Sequence, residues 1–143
     1  MAPSHVLVPL DGSPLADEAL EQALDLFDCR VTALNVVTPI DESMSEGGIL
    51  DPGEDRRENA RERADRLVER ARRRAADADR TVETAVVTGD PAEAILEYVA
   101  DEDVDHVVMG GHGGERSGLA RRVLGTVSTR VVGEAPVTVT VVR

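Results

Sequence analysis

The residues with the most chemical potential form a glycine cluster, Gly110-Gly111-His112-Gly113-Gly114, followed further on by Gly125-Thr126-Val127-Ser128. Glycines permit a tight turn and let a ligand approach the backbone closely. Thr126-Val127-Ser128 opens a helical segment, whose free N–H groups and positive dipole end favour an anion. The apolar run Val107-Val108-Met109 ahead of the glycines reads as a buried strand. Strand, glycine turn and helix start together predict a phosphate cradle, with the His112 ring flanking the phosphate, and hence nucleotide binding. A second candidate is Asp11, within Pro9-Leu10-Asp11-Gly12-Ser13. Its carboxylate could accept a hydrogen bond from an adenine amino group. The plainer role is capping the first helix, a task shared with Ser13.

Other chemistries find no support. A Walker loop needs a lysine, and this chain has none; all 16 of its basic residues are arginine. A dinucleotide fingerprint should follow the first strand, which these glycines do not. His112-Gly113-Gly114 resembles the oxyanion turn of esterases, but no Gly-x-Ser-x-Gly elbow accompanies it. The three histidines, His5, His106 and His112, do not read as a metal trio, and Cys29 alone makes neither a disulfide nor a thiolate site. For a phosphotransferase, Asp11 and Glu115 are the candidate carboxylates near the cradle.

The elements that must position these residues alternate. Strands are predicted at His5–Leu10, Val31–Val37, Thr81–Val87, His106–Met109 and Val137–Val142, and helices near Pro14–Phe27, Asp55–Ala78, Pro91–Ala100 and Thr126–Gly133. Such alternation gives a parallel sheet with helices on both faces. The first, second and fourth strands are almost continuously apolar, as strands covered on both faces are. The third and fifth alternate, which suits edges, and Pro136 at the start of the fifth fits there too. The strand order 3-2-1-4-5 satisfies all five and keeps the crossovers right-handed. In such a five-stranded doubly wound sheet, ligands bind beyond the carboxyl ends of the strands where the winding reverses, here between strands one and four. Topology and local chemistry thus choose the same place.

Composition sets the outer limits. A chain of 143 residues predicts a single domain over residues 1–143. With no 18-residue apolar run and no leader, the expectation is a cytoplasmic protein without a membrane span. The formal net charge of -12 repels nucleic acid phosphates. Strong acidity with arginine alone resembles proteins of halophilic cells, an arginine-biased genome being the blander explanation. The second helix interleaves arginines with acids, suggesting pairs such as Glu62–Arg66 and Glu69–Arg73 on a solvated face rather than an RNA-binding arm. Thr38–Pro52 reads as a loop near the end of strand two. The fifth strand, uncharged between Val137 and Val142, is an uncovered edge that invites pairing with a second copy.

These features resemble the universal stress protein family over essentially the whole chain. The resemblance is carried by Val6-Leu7-Val8-Pro9-Leu10-Asp11-Gly12-Ser13, Leu34-Asn35-Val36-Val37, Gly89-Asp90-Pro91, and most specifically the stretch from Val108-Met109-Gly110 through Gly125-Thr126-Val127-Ser128 to Ala135-Pro136-Val137. It implies a Rossmann-like, adenine nucleotide alpha-hydrolase-like fold. It also implies a homodimeric, ATP-binding stress-response module with an unknown protein partner and at most weak ATP hydrolysis. ADP or AMP could replace ATP, and Mg2+ would accompany the phosphates. By position, Pro9, Leu10, Asp11 and Val36 would surround adenine. Gly110, Gly111, His112 and Gly113 would hug ribose and phosphate, and Gly125, Thr126, Val127 and Ser128 would bind phosphates. ATP-binding members carry Gly-x2-Gly-x9-Gly-Ser/Thr; here eleven residues separate Gly113 from Gly125, the surplus being most simply Gly114-Glu115. A nucleotide-free scaffold and a slow ATPase or phosphotransferase are the alternative functions.

Overall fold

The computed structural model describes residues 2–38, 53–112 and 124–143, with residues 53–57 as backbone only. Five strands and four helices alternate: β1 (His5–Leu10), α1 (Pro14–Leu26), β2 (Arg30–Val37), α2 (Gly53–Asp77), β3 (Glu83–Thr88), α3 (Pro91–Asp101), β4 (His106–Gly110), α4 (Thr126–Glu134) and β5 (Thr138–Val142). The strands form one all-parallel sheet in the order β3-β2-β1-β4-β5. This is the doubly wound topology expected from the strand textures.

Helix starts follow local chemistry. Ser13, in an extended conformation, accepts a hydrogen bond from the Ala16 amide, and Pro14 supplies a preset φ at the first helical position of α1. Asp90 caps α3 in the same way through the Glu93 amide, again followed by a proline. Ala16, Ala19, Leu20, Ala23 and Leu24 recur at helical spacing and form the buried face of α1. A stripe of Ala60, Ala64, Val68, Ala71 and Ala75 does the same for α2, its small side chains allowing close approach to the sheet.

The pleat of the sheet divides the core in two. Val6, Val8 and Leu10 point to the side covered by α1 and α2, where they meet Val31, Ala33 and Val108. Leu7 points to the other side, with Leu34, Val107 and Met109 against Ile95 and Val99 of α3 and Val131 of α4. A central strand with both faces covered must be apolar throughout, which is why β1 shows no alternation.

Local departures from expectation have identifiable causes. β3 begins at Glu83 rather than Thr81, because Asp79 takes a positive φ of 56° and the Arg80 amide bonds back to Ala75. Arg80 then anchors the turn by donating to the carbonyls of Leu24 and Cys29. Among the described side chains of α2 the pairs within the helix are Arg61–Asp65 at 3.5 Å and Arg72–Glu69 at 3.1 Å, not Glu62–Arg66 and Glu69–Arg73. Arg72 also donates to Thr84 Oγ1 on β3, so the arginine that engages Glu69 is the one lying next to the sheet, and Arg70 reaches across to Asp17 on α1.

Candidate functional site

Past its last residue, β1 turns into α1 on one face of the sheet, while β4 leads towards α4 on the other. The divergence opens a cleft of about 640 Å3, within the about 300–1,000 Å3 typical of small-molecule sites. One wall is the end of β1, with Pro9, Leu10 and Asp11. Val36, Val37 and Thr38 of β2 and its exit, with Ile95 of α3, supply apolar surface. Met109, Gly110 and His112 follow β4, and Gly125, Thr126, Val127 and Ser128 complete the far end.

The turn after β1 is tightly specified. Asp11 Oδ1 accepts the Ser13 amide at 2.9 Å, and Gly12 takes φ +86°, a left-handed conformation that favours glycine. Capping therefore belongs to Ser13 alone. Asp11 holds the turn with one oxygen, and its other oxygen has no donor among the described residues, leaving it able to accept from a ligand.

At the opposite end, Gly125 precedes α4 and offers no side-chain cap. The first amide of this helix to find a backbone acceptor is Thr129, which bonds Gly125 O at 2.9 Å. Thr126, Val127 and Ser128 thus present amides with no acceptor among the described residues, in contrast to the side-chain-capped starts of α1 and α3. An anion would satisfy them. The Ser128 hydroxyl contributes differently from expectation. It is buried and lies 2.6 Å from Gly111 O and 3.1 Å from Gly125 O, so its proton is committed to the backbone rather than to a phosphate.

His112 stands next to this helix start. Only 6% exposed, it has no hydrogen-bond partner for Nδ1 or Nε2 among the described residues. Burying an unsatisfied polar group costs about 1–3 kcal/mol. Such a ring on the wall of a cleft is satisfied once a ligand supplies the partner.

The glycines divide by role. A Cβ at Gly110 would stand 3.0 Å from Leu15 Cβ and 3.1 Å from its carbonyl carbon, so this glycine also makes room for the first turn of α1. Gly111 does not line the cleft: its N–H donates to Val142 O and its carbonyl accepts from Gly125 N and Ser128 Oγ. It ties β5, β4 and α4 together. Gly113, with Gly114 and Glu115, lies outside the described residues. Two further cleft residues are not evident from sequence. Asn35 donates to Leu10 O at 2.8 Å and fixes the end of β1; its signal is a polar residue in an apolar run. Arg63 of α2 also lines the cleft, unmarked among the many arginines of that helix. His5 and His106 sit at the other end of the sheet, bonded to Thr32 and Thr140 respectively.

Fold and cleft together define a doubly wound α/β protein with an open cleft at the reversal of its winding. The chain belongs to the universal stress protein family, whose profile matches residues 3–143. It is 30% identical to universal stress protein MJ0531 of Methanocaldococcus jannaschii over 143 residues, 96% of this chain and 81% of that one. Among solved structures, universal stress protein UspA from Lactobacillus plantarum superposes with a TM-score of 0.80 at 25% identity, covering 100% of this chain and 99% of that one. A universal stress protein in complex with cAMP gives a TM-score of 0.72 at 26% identity, with 100% and 99% coverage.

Proposed function

We propose that this chain is an adenine-nucleotide-binding universal stress protein, with ATP as its principal ligand and ADP or AMP as weaker alternatives. The observation that carries the reading is one wall of the cleft, where unbonded, buried His112 nitrogens adjoin the uncapped amides of Thr126, Val127 and Ser128. The amides call for an anion and the ring can donate to one, and neither has a partner among the described residues. The base would lie against Pro9, Leu10 and Val36, with the free oxygen of Asp11 accepting from the adenine amino group. The phosphates would lie along Gly110, His112 and Gly125 to Ser128. The family member in complex with cAMP supports an adenine nucleotide in particular. Mg2+ would arrive on the phosphates, since it is held mainly by phosphate and water oxygens. Asp11 is the one carboxylate among the described lining residues.

The same proposal includes a homodimer through β5, an unidentified protein partner for a regulatory role, and an acidic surface suited to high salt. The edge position of β5 and the net charge of -12 support the first and last of these. Mass spectrometry of small molecules released by denaturing the purified protein tests the ligand. An adenine nucleotide near one per chain is expected. A protein that emerges empty and then ignores added ATP, ADP and AMP is a scaffold instead.

A further inference from the structure

Among the described residues, His112, Asp11 and Arg63 are the ionisable groups lining the cleft. Asp11 comes from the β1–α1 turn and Arg63 from α2; the lining residues of α1, β2, α3 and α4 carry no charge. Asp11 already accepts the Ser13 amide, and Arg63 has an interaction of its own. His112 differs: both its ring nitrogens are buried without partners among the described residues, and the residue lines the same cleft as Thr126, Val127 and Ser128. Backbone amides are fixed donors whose charge does not change with pH. An imidazole is different: neutral, it offers one donor and one acceptor, and protonated it offers two donors and a charge.

We propose that His112 is a proton-coupled phosphate contact, taking up a proton when a phosphate monoester enters the cleft, so that nucleotide affinity rises as pH falls. The inference rests on the nucleotide-binding reading above. A neutral ring can give an acceptor-only phosphate a single ordinary N–H. Protonation makes that hydrogen bond charge-assisted and adds a positive charge beside the dianion. The sign follows from linkage. A phosphate dianion favours the imidazolium, so the complex binds more protons than the free protein and higher pH weakens it. The same coupling selects ligand class, because a phosphate monoester dianion gains more from the imidazolium than a cyclic diester with a single charge does. An uncharged nucleoside gains nothing.

Calorimetry at pH 7.5 in buffers of different ionisation enthalpy, with AMP and adenosine as probes, tests this directly. At that pH a phosphate monoester, whose second pKa is about 6, is already a dianion, so the protons counted belong to the protein. AMP binding should take up protons, at most one per site, and weaken as pH rises, with the limit of about tenfold per pH unit reached only where uptake is complete. Adenosine should take up none. His112→Gln keeps a neutral donor but has no titration. It should bind AMP with no proton uptake and a flattened pH profile. AMP binding without proton uptake in the wild type, or uptake that survives in His112→Gln, overturns the inference while leaving nucleotide binding intact. Failure of both AMP and adenosine to bind overturns both readings.

Discussion

Asp105 sits just ahead of β4 and receives three hydrogen bonds, from Ser4 N and Oγ at 2.8 Å each and from His5 N at 3.2 Å. Burial pushes its carboxyl up, but those hydrogen bonds outweigh it and hold the group below the usual aspartate value of 3.8. The unfolded chain therefore takes up this proton first. The stabilisation is present above about pH 4 and is lost as pH falls through the lowered folded value. Asp105→Asn should lower the unfolding midpoint at pH 7 by roughly 3–6 °C, about 1 kcal/mol after discounting for exposure. The gap between variant and wild type should narrow as pH falls below about 4; thermal melts across that range would show it, and a constant gap would refute it. His106 changes stability in the same direction at higher pH. Burial lowers its affinity for a proton, partly offset by Asp105, so its contribution is full above 6.5 and declines as pH falls below that. At this scale the sequence is only partly legible. Asp11, His112 and the start of α4 stand out in it because their chemistry is local. The roles of Gly110, Gly111 and Ser128 do not, because they depend on how near α1 and β5 come to the β4 exit, a long-range fact.

Among elements, β5 carries the clearest test. It pairs with β4 alone, leaving its other side as an edge of the sheet. Val139 and Val141 pack partly against the α3–α4 side of the core, while Thr140 on the other face bonds His106. Uncharged edges of this kind pair readily with another strand. If the proposed dimer uses this edge, Val139→Lys should leave a monomer by light scattering with its circular dichroism unchanged, the flexible stem reaching solvent. A folded variant that stays dimeric places the interface elsewhere. The order of the sheet is readable because burial leaves a mark on composition. β1 is apolar on both faces and β3 and β5 are not, so residue pattern alone separates centre from edge. The start of β3 is not readable in the same way. Thr81 and Val82 look like strand, whereas Asp79 and Arg80 have already committed the chain to a turn.

The whole molecule carries 28 acidic residues against 16 arginines. Ion pairs such as Arg74 with Asp17 and Glu21 join α1 to α2, but exposed pairs are each worth about 0–1 kcal/mol, less in salt. Relief of net repulsion should therefore dominate as salt is added. Between about 0.1 M and 1 M KCl the screening length falls from about 10 Å to about 3 Å, and the unfolding midpoint should rise. A flat or falling midpoint would remove the argument for adaptation to salt. The central claim remains that the cleft between β1 and β4 holds an adenine nucleotide on the α4 helix start. Calorimetric titration of ATP with Mg2+ in high salt, on the wild type and Gly125→Val, tests it most directly. A side chain at Gly125 would put its Cβ 3.3 Å from His112 Cα and so disturb both groups of the proposed phosphate site. Saturable binding by the wild type, weakened at least about tenfold (roughly 1.4 kcal/mol) in a folded Gly125→Val, is the expected result. Equal affinity in both proteins, or no heat with ATP, ADP or AMP in either, would contradict it.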